Sequence, residues 1–294
     1  MNRQQAKKLT GRARARVLAC LSLGFVITTP LRAQDRPFVL ETDADARVTI
    51  ENTSGSITVT AWDRNVVSVS GGRSTLRDLE VEGSPKHVQL KMMHGHYLEV
   101  RVPRRAQLRA HSASGFVRVE GVEGTVDVES ASGTLHIEGT PRSIHAQGFS
   151  GGVTILGGGT EVTRAESVSG TVMITRANGI VEAKSSSGGV SVKGNVREAV
   201  LFSVSGSVVF DGVVANGGRL SAESSSGSVE LTLPRNTSAK YELSTLSADI
   251  NNDFGPPATR KRGGSGVSLE FTIGNGGARI KAASVSGSVL LQGR

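Results

Sequence analysis

One cysteine, Cys20, occurs in 294 residues. It lies within residues 1–33, so a chain freed of that segment has no thiol, and disulfides and thiolate metal sites are excluded. Stability must then come from packing and backbone hydrogen bonds. Phe, Tyr and Trp together make 4% of the chain, with a single Trp, which denies sugar rings a stacking platform. No apolar run approaches the roughly 20 residues of a membrane span. Helical periodicity is missing after residue 33. Glycine-rich phosphate cradles need a helix to follow them, so nucleotide binding is excluded as well.

Acidic residues are absent from residues 1–33, which carry seven basic ones: Arg3, Lys7, Lys8, Arg12, Arg14, Arg16 and Arg32. An apolar run spans Val17 to Thr29, followed by Pro30 and the small residue Ala33 before polar Gln34-Asp35. This pattern predicts a secretory signal peptide over residues 1–33, cleaved at Ala33, although Leu31 stands where a small residue is usual. An uncleaved membrane anchor is the alternative. Val17-Leu18-Ala19-Cys20 resembles a lipoprotein box only faintly, because the apolar run follows the cysteine rather than preceding it. Setting the seven basic residues aside takes the formal net charge from +8 to +1. The basic character therefore belongs to the leader and does not point to nucleic acid. No integral span remains once the leader is removed, and the expected location is periplasm, cell surface or exterior.

Glycine, by contrast, is abundant at 37 residues, and it recurs with a period. Take Gly55, Gly115, Gly133, Gly151, Gly170, Gly188, Gly206, Gly227, Ala248 and Gly287 as position zero. A serine precedes each of them, and the central intervals are 18, 18, 19, 18, 18 and 21 residues. Valine, leucine or isoleucine stands two positions later, as in Val117, Leu135 and Val153, and mostly again at four, as in Val119, Ile137 and Ile155. Five and seven positions earlier the residues are apolar or small, as in Ala110 and Leu108. Each half is a half-buried strand by its period-2 alternation. The inward parity flips at the Ser-Gly step, so the chain must turn there. A second glycine turn, such as Gly157-Gly158-Gly159, completes each coil.

Coils of this kind stack in register, and the fold predicted is an all-β parallel β-solenoid of roughly ten coils with about 18–21 residues per coil. The serine before each glycine has inward parity and is expected to form an internal hydroxyl ladder. The glycine is expected to supply positive φ at the corner. The predicted organisation is an extended lead-in over 34–46 and one repeat domain over 47–294. Irregular strands over 60–107 widen or cap the N-terminal end, and a loop projects near 251–266. Without a cap, the end of such a stack would be an open sheet edge.

Few residues offer chemistry. His94-Gly95-His96 has metal-like spacing on a strand face, with His87 and His111 near in sequence, but no third ligand is evident and a solvated hairpin tip is the simpler reading. His136 and His145 fall at outward positions and read as surface residues. Gly157-Gly158-Gly159-Thr160-Glu161 and Gly274-Asn275-Gly276-Gly277-Ala278 lack the aspartate of a calcium-binding nonapeptide. Parallel solenoids can carry glycan-cleaving carboxylate clusters. Here Glu120, Glu129, Glu138, Glu166, Glu182 and Glu223 face outward with Arg118, Arg164 and Lys184, distributed like an ordinary solvated surface. No catalytic, cofactor-binding or metal-ligating residue is assigned, and no cofactor is expected.

Several segments together resemble a known family, the exported candidate adhesins of bacteria, which are β-strand repeat proteins of unknown function. They are Thr60-Ala61-Trp62-Asp63-Arg64, Leu98-Glu99-Val100-Arg101-Val102-Pro103 and the serial Ser-x-Ser-Gly-x-Val coils. Leu231-Thr232-Leu233-Pro234 leading to Leu243–Ile250, and Gly274–Ile280 leading to Ser284-Val285-Ser286-Gly287, complete the set. The match covers about residues 45–294, and Ala248 departs from the family's glycine. The resemblance implies an exported β-solenoid and brings no catalytic residues. The expected function is a non-enzymatic, rigid, elongated surface for adhesion or binding at the cell envelope. Its partner would be an envelope protein, a surface glycan or further copies of itself. An accessory component of an envelope-stress system is the alternative within the non-enzymes, and a polysaccharide-acting enzyme is the alternative outside them.

Overall fold

The computed structural model describes residues 37–294, except 73–74, 77, 94–96 and 261–265. Residues 1–33, expected to be a signal peptide, and the His94-Gly95-His96 motif therefore lie outside the described residues. Twenty-four strands occur among the described residues, and nearly all of them belong to two ladders of parallel strands that share one interior. The first ladder holds the strands that enter each Ser-Gly corner, for example Gln107–Ser112, Thr125–Ser130, Ser143–Gly148 and Val162–Ser167. The second holds the strands that leave it, for example Val117–Glu120, Leu135–Gly139 and Val153–Gly157. The protein is the β-solenoid that the period predicts.

Registers follow the repeat. Val126 pairs with Leu108 on one side and with Ile144 on the other, and Ile137 pairs with Val119 and Ile155. Parallel strands sit about 4.8 Å apart, so each inward side chain lies on the equivalent residue of the next coil. These residues form one continuous core in which Leu135, Ile155, Val181, Val192, Leu201 and Phe210 are fully or almost fully buried. Each large aliphatic side chain removed from water contributes about 1.5–3 kcal/mol, and the coils gain it only by stacking.

The corner is where the structure corrects the sequence reading. The serine immediately before each glycine is not internal: Ser132, Ser150, Ser169, Ser187, Ser205 and Ser226 are exposed. The strand ends two residues earlier than parity alone suggests, so the last inward side chain is the one three positions before the glycine. That column contains Ser112, Ser130, Ser167, Ser185, Ser203, Ser224 and Ser284, all buried. Its hydroxyls do two jobs at once. Ser203 Oγ donates to the Gly188 carbonyl of the preceding coil at 2.9 Å and accepts from Gly206 N–H of its own corner at 2.8 Å. The same pair of bonds recurs at Ser167, Ser185, Ser224 and Ser284. Thr245 supplies the equivalent donor in the Ala248 coil, reaching the Gly287 carbonyl at 2.8 Å. The result is a buried hydroxyl rail that satisfies corner backbone groups otherwise left orphaned.

Glycine is required at the corner for a different reason from the one expected. Of the glycines at position zero, only Gly55 and Gly115 have positive φ. What excludes a side chain is the coil below: a Cβ at Gly206 would lie 2.2 Å from the Gly188 carbonyl oxygen, and one at Gly133 would lie 1.6 Å from that of Gly115. Ala248 stands at this position in the outermost coil, stacked on the Gly287 corner like the others, and nothing in the structure explains the alanine there.

The order of coils is sequential through the middle and not at the ends. Among the described residues, a further layer of the stack lies within the stretch that lacks the Ser-Gly signal. Its strands His87–Met92 and Tyr97–Pro103 stack outside Arg47–Asn52 and Ser56–Trp62. Residues 107–120 then return to the opposite side of that first coil. The C-terminal end repeats the device. Ala278–Ser284 and Val289–Gly293, the last strands of the chain, insert between the coil of residues 219–233 and the outermost coil of residues 239–252.

Antiparallel strands cover three of the four ladder ends. Leu79–Ser84 pairs with His87–Met92, and Val66–Gly71 pairs with Tyr97–Pro103 and with Phe38–Glu41. The lead-in segment thus contributes an edge strand. At the far end Val267–Ile273 lies antiparallel on Ala239–Thr245. There Tyr241 stacks on Phe271, with ring centroids 4.7 Å apart, and its hydroxyl donates to the Thr237 carbonyl. Much of residues 231–277, irregular by spacing, is therefore an ordinary coil plus its cap.

Candidate functional site

With the repeat consumed by the scaffold, function must reside outside it. Outward residues of the first ladder line up in columns, because residues one coil apart in sequence are neighbours in space. Opposite charges meet at several of these registers. Arg109 bonds Asp127 at 2.9 Å, Arg164 bonds Glu182 at 2.9 Å, and Lys281 bonds Glu223 at 2.7 Å. Lys184 also bonds Glu182, and that hydrogen bond, aided by Arg164, holds the Glu182 carboxyl below its ordinary value against the opposing effect of burial. Lys281 lowers Glu223 in the same way. At the opposite turn the Arg104 guanidinium holds Asp63 low.

Every outward carboxylate marked in the sequence has a basic neighbour. Glu120 meets Arg118, Glu129 meets His111, Glu138 lies 3.9 Å from Arg176 and Glu166 lies 3.8 Å from Lys184. Exposed pairs of this kind are each worth about 0–1 kcal/mol. Their clearer effect is to match neighbouring coils by charge. A glycosidase pair needs one carboxyl held protonated while its partner stays ionised. The displaced carboxyls here, Asp63, Glu182 and Glu223, are all shifted toward the ionised form.

A second feature runs along the corner itself. The residue two before each glycine projects outward beside the exposed serine. In successive coils this column reads Phe149, Val168, Ser186, Val204, Ser225, Val285 and Leu246. Phe149 is 61% exposed, Leu246 50% and Val285 49%. Backbone bonds hold the line straight: Ser169 N–H donates to Phe149 O, Ser187 N–H to Val168 O and Ser226 N–H to Val204 O. At its C-terminal end the line borders a shallow cleft of about 360 Å³ lined in part by Phe202, Leu246, Val267 and Val285. A straight exposed row of apolar and hydroxyl side chains on a fixed spacing is a candidate recognition surface. The sequence hid it because an apolar residue between two serines in Ser-Val-Ser-Gly reads as part of the turn.

The third feature is a cluster on the first ladder. Asp127 and Glu129 project from one face of Thr125–Ser130, and His145 is the register partner of Asp127 on the next strand. One ligand atom from each lies within 4.8 Å of the others. On the other side, His111 Nδ1 is 3.1 Å from Glu129 Oε2. His145 thus sits in a polar cluster rather than standing alone on the surface, whereas His136 lies on the second ladder with its ring 6.4 Å from that of Phe116. His87 approaches Thr49 at 3.5 Å. The signal for the cluster was the period itself, since Asp127 and His145, like His111 and Glu129, are 18 residues apart.

Comparison with known proteins follows the architecture. A family model described as Toastrack DUF4097 matches residues 38–292. Among solved structures, a candidate adhesin from Bacteroides fragilis NCTC 9343 aligns at 12% identity and TM-score 0.44, over 89% of this chain and 99% of the other. A candidate cell adhesion protein from Clostridium sporogenes ATCC 15579 aligns at 7% identity and TM-score 0.23, over 89% of this chain and 100% of the other. Superpositions this loose tie the chain to neither protein's role. No curated protein matches.

Proposed function

The chain belongs to the Toastrack DUF4097 family, and from that premise we propose that it is an exported, non-enzymatic β-solenoid. In this reading it presents a rigid, elongated surface for binding at the cell envelope. The observation that carries the proposal is the exposed corner row of Phe149, Val168, Val204, Val285 and Leu246 beside a parallel row of serine hydroxyls. Each side chain is fixed by a corner locked to its neighbours, so the row is pre-organised and loses little entropy on contact. The binding target is an envelope protein or a surface glycan. The outward carboxylates, each beside a basic neighbour, favour this reading over a hydrolase.

Removal of residues 1–33 as a signal peptide belongs to the same proposal, because an envelope partner is reached only by export. The test is capture from the producing cell's own envelope fraction on immobilised protein. Saturable retention that is lost in a Phe149→Ser, Val204→Ser, Leu246→Ser variant is the expected result. No retention, or equal retention by the variant, overturns the proposal. These side chains are exposed, so the variant keeps the fold.

A further inference from the structure

We propose that Asp127, Glu129 and His145 form a binding site for a divalent transition metal of the zinc class. The first ground is geometric. The two carboxylates and the imidazole offer ligand atoms within 4.8 Å of one another, and two strands in fixed parallel register place them on one face. The second is independent of the clustering: Asp127 Oδ1 is shielded from solvent and has no hydrogen-bond partner. A carboxylate oxygen withdrawn from water and left unbonded carries a desolvation cost that a cation at this point would offset.

The surroundings fit a ligand set rather than a plain ion pair. Arg109 occupies only the other oxygen of Asp127, with Nε at 2.9 Å and its terminal nitrogen at 2.8 Å from Oδ2. That arrangement holds the carboxylate through Oδ2 and leaves Oδ1 unbonded, and outer-shell partners hold metal ligands in this way. His111 Nδ1 holds Glu129 through Oε2 at 3.1 Å in the same manner. Arg109 faces the two carboxylates from one side. Arg164, the register partner of His145 on the other, is engaged by Glu182, which leaves the cluster net negative when its imidazoles are neutral. An imidazole beside two carboxylates selects zinc, or a neighbouring transition ion, over magnesium and calcium, which prefer oxygen throughout. Three protein ligands leave one tetrahedral position for water. This site lies on the ladder face, so it is separate from the corner row.

The test is a calorimetric titration of the untagged protein with zinc chloride. One zinc per chain should bind, and an excess of magnesium should leave that binding intact. Asp127→Asn and His145→Gln should each weaken it at least about tenfold, whereas His136→Gln on the other ladder should not. Zinc should raise the melting temperature of the parent protein and not of Asp127→Asn. The proposal fails if no saturable binding occurs or if Asp127→Asn and His145→Gln bind as the parent does. It also fails if replacing His94 and His96, rather than these residues, abolishes the binding.

Discussion

At the scale of single residues, the two serines of each Ser-x-Ser-Gly are chemically identical and structurally opposite. Ser203 is fully buried and bridges two corners, while Ser205 faces solvent. Ser203→Ala should lower unfolding free energy by about 1–3 kcal/mol, because it strands a carbonyl and an N–H. Ser205→Ala should fall within about 0.5 kcal/mol of the parent. Urea titration of the two variants distinguishes them directly, and the ladder expected from parity alone would reverse the order. The corner glycine makes a parallel case. Gly206→Ala places a methyl 2.2 Å from a backbone oxygen and should cost about 3 kcal/mol or more. Gly217 has φ of +75° with nothing within 4 Å of an added Cβ, so Gly217→Ala should cost only the left-handed strain of about 1–2 kcal/mol.

At the scale of strands and ladders, acidity reads out the charge columns. Glu182 is held below its ordinary value by Lys184 and Arg164. A carboxyl lowered in the folded state contributes stability above its unfolded pKa, and that contribution is lost as pH falls through the folded value. Glu182→Gln should therefore remove part of the acid-induced loss of stability below about pH 4, seen as a shallower fall in melting temperature. Tyr241 behaves in the opposite sense. Burial raises its phenol to about 12, so its contribution is complete below about pH 10 and is lost as pH rises through the folded value. Tyr241→Phe should flatten the alkaline limb of the stability profile, followed by circular dichroism.

These ladders were legible in the sequence because the period converts spacing into adjacency, as Arg164 and Glu182 show. The corner was misread because parity assumes an extended strand up to the glycine, and the strand stops at Ser203. The Asp127 cluster went unseen because a ligand set spread over two coils has no local motif.

At the scale of the whole molecule, the repeat specified a stack but not its ends. Residues 87–103 lack the Ser-Gly corner, so nothing in the spacing marked them as a layer of the stack. Contacts between coils are chemically alike, so sequence alone could not say that the chain doubles back. At three of the four ladder ends the edge is covered by an antiparallel strand from within the chain, whereas Ile250–Asn252 pairs with Val289–Gly293 alone among the described residues. The covering strands oppose edge-to-edge growth and keep the outer surface a finite, rigid ruler.

The most direct measurement of this arrangement is a disulfide placed across the C-terminal insertion, in a chain whose Cys20 is replaced by serine. Ser228 Oγ lies 3.2 Å from Ser288 Oγ across 60 residues of sequence, and strands stacked at about 4.8 Å fall within the Cα range a disulfide spans. With the last coil tucked inward, Ser228→Cys paired with Ser288→Cys should oxidise spontaneously to a crosslink seen by mass spectrometry. Ser228→Cys paired with Asp249→Cys should stay reduced. A crosslink in the second pair and none in the first would show coils stacked in sequence order and contradict the fold described.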